Sequence, residues 1–135
     1  MSMFSAFDVS ASALRAQRIR QTVIANNLAN ANTTRDPATG KPFRRKETVF
    51  KVGLPEKGMT DGVRVSDVVA DQSDFQRIYN PNHPDADENG EVLMPNINVI
   101  IEMTDLISAT RSYEANVTAM DAKKSMLSQA FRILA

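Results

Sequence analysis

Along the last third of the chain, apolar residues recur at alternating steps of four and three. The positions are Val99, Met103, Leu106, Thr110, Tyr113, Val117, Met120, Lys124, Leu127, Phe131 and Leu134. Nine of the eleven are apolar, and a heptad repeat sustained this far predicts one long helix with a coiled-coil seam. At 1.5 Å per residue that helix measures about 55 Å, longer than a compact domain of this size accommodates. Thr110 and Lys124 interrupt the repeat, and polar residues in such layers set register and partner number.

The start of the chain reads as a second helix with a different pattern. One stripe runs Phe4, Phe7, Ala11, Leu14, Ala25 and Leu28, broken by Arg18 and Gln21; another runs Val9, Ala13, Ala16, Ile19 and Val23. Two alanine-rich stripes predict a helix approached closely from two sides. The C-terminal helix would cover one side. A two-helix hairpin alone buries too little to be stable, so the other side is expected to need further chains.

Every glycine (40, 53, 58, 62, 90) and every proline (37, 42, 55, 81, 84, 95) falls between residues 37 and 95. Both residue types break helices, so the two ends are free to be helical and the middle is not. Within the middle, residues 46–52 (KETVFKV) and 62–69 (GVRVSDVV) are β-branched and partly alternating, and 75–79 is a candidate third strand. Residues 80–84 (NPNHP) form a loop by composition. The expected fold is therefore mainly α with a small β element. Its long N- and C-terminal helices pack as a coiled-coil-like pair, with short strands and loops between. The segments are 1–36, 37–95 and 96–135.

Charge narrows the chemistry. Of 135 residues, 16 are Lys or Arg and 16 are Asp or Glu, for a net charge of zero; a nucleic-acid binder would carry a basic excess. The balance hides an asymmetry: residues 32–60 hold seven basic and three acidic side chains, residues 61–95 two and eight. The two halves are expected to pair within the chain. Cysteine is absent, which excludes disulfides, thiolate metal sites and cysteine nucleophiles. His83 is the single histidine. Residues 85–90 (DADENG) match the first six positions of an EF-hand loop, but position 12 is Asn96 where a bidentate Glu belongs, and Pro81 and Pro84 deny it an incoming helix. The bland reading, an acidic turn between a strand and the last helix, is preferred. The basic run 43–46 (FRRK) is expected to be a solvated strand start or a partner for the acidic stretch. No nucleotide-binding, nucleophile-elbow or zinc-protease motif is present, so no catalytic residue, cofactor or metal is expected. No basic residue precedes Arg15, no cleavable signal is visible, and no stretch is apolar enough to span a bilayer.

The most unusual segment is 25–33 (ANNLANANT). Asparagine amides compete with the helix backbone, so this is either a frayed helix end or a set of amides bonding across an interface. Asn26 and Asn30, four apart, share a face, which favours the interface.

This segment resembles the N-terminal signature of the axial proteins of the bacterial flagellum: rod, hook and hook-associated subunits. Residues 71–73 (DQS), 80–91 (NPNHPDADENGE), 95–99 (PNINV), Glu102, Met103 and 108–127 resemble its proximal-rod members in order and spacing. The resemblance implies a structural subunit exported by the flagellar type III apparatus without signal cleavage. It then polymerises into the periplasmic rod that transmits torque, its terminal helices forming the inner tube. Implied partners are other copies of itself, other proximal and distal rod proteins, the MS-ring junction protein and the export apparatus. The residues expected at the assembly interface are Phe4, Phe7, Leu14, Asn26, Asn27, Leu28 and Asn30 on the first helix. On the last they are Val99, Met103, Leu106, Tyr113, Val117, Met120, Leu127, Phe131 and Leu134. The helices taken alone also fit a soluble coiled-coil adaptor or scaffold.

Overall fold

A computed structural model describes residues 3–54 and 59–134. In chain order its elements are α1 (Met3–Ala29), β1 (Lys46–Leu54), β2 (Met59–Ala70), β3 (Gln76–Tyr79), β4 (Glu91–Met94) and α2 (Val99–Leu134). About half the chain is helical, as the placement of glycine and proline predicted. The asparagine run ends α1: the Asn30 amide donates to the Asn26 carbonyl at 2.9 Å, and Asn30 Oδ1 accepts from the Thr33 hydroxyl. Asn98 opens α2, its Oδ1 accepting from the N–H groups of Ile100 and Ile101 at 3.1 and 3.3 Å, which satisfies two of the free donors at a helix start.

The helices run antiparallel. Asn27 meets Glu102 at one end, Gln21 Nε2 donates to Thr110 Oγ1 midway, and at the other end Lys123 Nζ reaches the Ala6 carbonyl and Ser10 Oγ. With Lys123 opposite Ala6 and α1 beginning at Met3, the last two turns of α2 project about 12 Å past the described start of α1.

Strands β1 and β2 pair in an antiparallel ribbon, with register shifts at Val49/Phe50 and Val52/Leu54. The ribbon lies along α1: the Val63 N–H donates to Ser12 Oγ at 3.1 Å, and Asn27 is bonded to Lys46. The second face of α1 is thus covered by the chain's own ribbon. The expectation that this side needs further chains considered only the two helices, whereas the ribbon packs on it.

β3 pairs with β4, Ile78 opposite Val92. β4 was not anticipated; four residues ending at a proline carry too little pattern to read. The acidic loop therefore closes a hairpin rather than leading straight into the last helix. At the hairpin end Gly90 has φ +77°, and a Cβ there would meet Tyr79 Cε2 at 3.0 Å and Pro81 Cβ at 3.1 Å.

Among the described residues the buried apolar side chains are few: Ala16, Ile24, Val92, Ile97 and Ala109. Beside them lie buried Ser10, Ser12, Asn27 and Glu102. The face α2 turns inward is also displaced from the predicted seam. Leu106, Tyr113, Met120 and Leu127 are half-buried as expected, but Met103, Lys124 and Phe131 are exposed. Glu102, Ala109, Asn116, Lys123 and Ala130, one residue earlier in each heptad, are buried or half-buried in their place. The inner face thus takes the small and polar set and turns part of the hydrophobic repeat outward.

Burial should separate two isoleucines sharply. Ile24→Ala should cost about 2–4 kcal/mol of stability in urea denaturation, whereas Ile100→Ala, at a position 76 % exposed, should stay within about 0.5 kcal/mol of the parent.

Candidate functional site

Where α1, β1 and the start of α2 converge, the structure holds a charged centre. Glu102 is 1 % exposed. Its Oε1 accepts from Arg45 Nε at 2.5 Å and its Oε2 from the Asn27 amide at 3.0 Å. Asn27 also acts as a surrogate peptide for β1: its Nδ2 donates to the Lys46 carbonyl at 2.8 Å and its Oδ1 accepts from the Lys46 N–H at 3.0 Å. Backbone groups at a strand start that would otherwise lack partners are satisfied this way.

Arg45 gathers acids from the whole chain. Besides Glu102 it pairs with Glu47, with Asp71 at 3.5 Å and with Asp105 at 4.0 Å, and Arg20 shares Asp105 at 3.6 Å. Burial works against the charge on Arg45, but its hydrogen bonds to Glu102 and Glu47 outweigh that and push its pKa up. The backbone N–H and hydroxyl of Ser73 hold Asp71 below the usual carboxylate range, with Arg45 adding to the effect. A cleft of about 360 Å³ opens here, walled by Arg20, Val23, Thr48, Phe50 and Asp105.

Asn96 and Arg44 tie the centre to the segment that follows β2. Asn96 Oδ1 accepts from the Arg45 N–H at 2.8 Å, and Asn96 Nδ2 donates to Ser73 Oγ at 2.8 Å. Arg44 Nη1 donates to the carbonyls of Asp71 and Ser73, both at 2.9 Å, and its guanidinium lies 4.3 Å from the Phe75 ring centre. Of the basic run 43–46, Arg45 reaches one carboxylate of the acidic stretch, Asp71, while its other acids, Glu47, Glu102 and Asp105, lie outside that stretch. None of this arrangement poises a nucleophile or a proton relay. It fixes three segments to one another.

Of the sequence-predicted residues, Asn27 lies at this centre and faces inward, bonding across a packed junction of its own chain. Asn26 is exposed and Asn30 caps its own helix, so the shared face of that pair does not carry the contact. Phe7, Leu14 and Leu28 are half-buried, as are Leu106, Tyr113, Val117, Met120 and Leu127; Val99, Met103 and Phe131 are exposed. The side chains of Phe4 and Leu134 lie outside the described residues. Sequence reading missed Arg45, Glu102 and Lys123. The available signal was a glutamate placed one heptad before Ala109, on the line that continues to Lys123 and Ala130.

The acidic loop is tied to other parts of the chain. Asp85 accepts from Thr34 Oγ1 at 2.8 Å and pairs with Arg35 at 3.0 Å. Asp87 Oδ1 accepts from the N–H groups of Asn89 and Glu91. His83 Nδ1 accepts from the Asp85 N–H at 3.1 Å. Among the described residues, no group of three or more His, Cys, Asp or Glu is arranged to hold a metal ion.

Residues 7–35 match the family model for the flagella basal body rod protein, and residues 88–133 match that for the flagellar basal body rod FlgEFG protein C-terminal region. The flagellar basal-body rod protein FlgC of Bacillus subtilis is 45 % identical over 98 % of this chain and 99 % of its own length. The FlgC proteins of Escherichia coli O6:H1 and Borreliella burgdorferi are 43 % and 40 % identical over 94 % and 99 % of this chain, and over 94 % and 99 % of their own lengths.

Removing one partner of the central pair should be far worse than removing both. Arg45→Met strands the Glu102 charge and should cost about 3–5 kcal/mol, while Arg45→Met with Glu102→Met should recover most of that loss in urea denaturation. Asp85→Ala removes a surface ion pair and one hydroxyl bond. It should cost about 1 kcal/mol or less, with calcium leaving the melting temperature unchanged.

Proposed function

The chain belongs to the FlgC family of flagellar basal-body rod proteins and is a structural subunit of that rod, and from this premise we propose that it serves in the proximal rod. It associates with other basal-body rod components. On our reading these are further copies of itself, the proximal and distal rod proteins and the MS-ring junction protein. It reaches the periplasm through the flagellar type III export apparatus, without a cleaved signal. Its role is mechanical rather than catalytic, with the terminal helices contributing to the inner tube. Among the described residues, no helix is long and apolar enough to cross a membrane.

The observation that supports a role in assembly is the surface. The chain exposes 9420 Å², against about 7,000 Å² for a compact monomer of its 14.9 kDa. Large side chains are prominent in the excess: Val52, Ile100, Met126, Phe131 and Ile133 are each more than 60 % exposed. Apolar side chains gather at the two ends of α2, Ile100, Met103 and Ile107 at one and Met126, Phe131 and Ile133 at the other, and such exposed groups support an interaction role. The predicted interface residues divide accordingly. Val99, Met103 and Phe131 would meet neighbouring subunits directly, while Leu106, Tyr113, Val117, Met120 and Leu127 would support the helix pair from within.

Deleting the gene from the organism that carries it should abolish swimming and filaments and leave an arrested basal body, with the intact gene restoring all three. Normal filaments after deletion would sink the rod reading in favour of a soluble adaptor.

A further inference from the structure

Helix α2 carries two overlapping seams. The one turned inward alternates Leu106, Tyr113, Met120 and Leu127 with Glu102, Ala109, Asn116, Lys123 and Ala130. The hydrophobic repeat alternates the same four large residues with Met103, Thr110, Val117, Lys124 and Phe131. Successive residues stand about 100° apart around a helix, and half of each seam is shared, so a roll of about 50° would exchange one for the other. Thr110 and Val117 are already half-buried at the margin of the observed seam. The roll would bring in Met103, Val117 and Phe131 where Ala109 and Ala130 now lie, an exchange that hydrophobic burial favours.

Hydrogen bonds oppose it at two places. Glu102 Oε1 accepts from Arg45 Nε at 2.5 Å and its Oε2 from the Asn27 amide at 3.0 Å. Three heptads on, Lys123 Nζ donates to Ser10 Oγ at 2.6 Å and to the Ala6 carbonyl at 3.0 Å. The two side chains lie on one line of the helix, about 30 Å apart along its axis. Swinging that line aside breaks both sets of bonds, and α2 cannot roll at one end without the other.

We propose that Glu102 and Lys123 are positioning residues that hold α2 in one of two facings, against a rolled state in which the hydrophobic repeat lies inside. The inference rests on the fold and not on the rod-subunit reading. Polar groups placed in a helix seam select one arrangement by leaving unpaired charges in every other. Here they select the facing that keeps Met103 and Phe131 on the surface.

The chain has no cysteine, so a single introduced thiol reports its own burial. Ala109→Cys marks the inward line, at a position 0 % exposed, and Met103→Cys the outward line, at one 53 % exposed. Each is placed in the purified chain with and without Glu102→Ala plus Lys123→Ala, and its reaction with a small maleimide is timed. Removing both pins should make Ala109→Cys about tenfold faster and Met103→Cys about tenfold slower. Mere loosening of the fold speeds both reactions, so only a turned helix gives opposite changes. Lys123→Ala alone should move the two rates in the same opposite senses by less, and Lys123→Arg should restore the parental rates. Both thiols faster, or neither rate changed, in the double variant and in Lys123→Ala alone would overturn the proposal.

Discussion

A carboxylate at 1 % exposure constrains everything around it. Glu102 is tolerable inside this small fold only because Arg45 and Asn27 bring it donors, and those donors come from two segments far away in sequence. Burying the charge alone costs several kcal/mol. The helix pair and the strand region are therefore not separable modules: α2 cannot seat its first turn on α1 unless the 44–46 segment is in place between them. Asn27 strengthens that link by serving α2 and the β1 backbone at once.

The rest of the helix interface follows the same plan. Ser10, Gln21, Asn27, Thr110 and Lys123 bond across it, beside the half-buried Leu106, Tyr113, Met120 and Leu127. Buried polar layers contribute little net stability, but they penalise every register except one. The apolar material such a seam would ordinarily use is carried on the outside, at Ile100, Ile107, Met126 and Ile133. Pairing within the chain is thus chosen by hydrogen bonds. Those exposed side chains take no part in burial within the chain, the term that ordinarily dominates folding.

That inversion explains what could be read from the sequence. The presence of both helices was legible, because Gly and Pro are confined to the middle, although α1 stops at Ala29, seven residues before the end of the 1–36 segment. The charges of the two halves pointed to the pairs Arg35–Asp85 and Arg45–Asp71, but not to Glu102, which lies outside both. The seam was displaced by one residue per heptad because a hydrophobic repeat was assumed to face the partner within the chain; Met103 and Phe131 do not, and Ala109 and Lys123 do. Arg45 and Glu102 were passed over because an isolated charge carries no periodicity, and its burial depends on segments 57 residues apart.

The spacing of the central bonds also sets a timetable. Asn27 and Lys46 are only 19 residues apart, so a chain emerging N-terminus first from any narrow conduit can join α1 to β1 early. The carboxylate that completes the centre follows 75 residues after Asn27, and the Lys123 contact with Ser10 closes 113 residues late. Until then the polar groups waiting for α2 remain hydrated and the apolar face of the last helix has not yet been delivered. The exposed apolar side chains of α2 therefore belong to the part of the chain that emerges last, which shortens the interval in which they stand exposed on an unfinished fold.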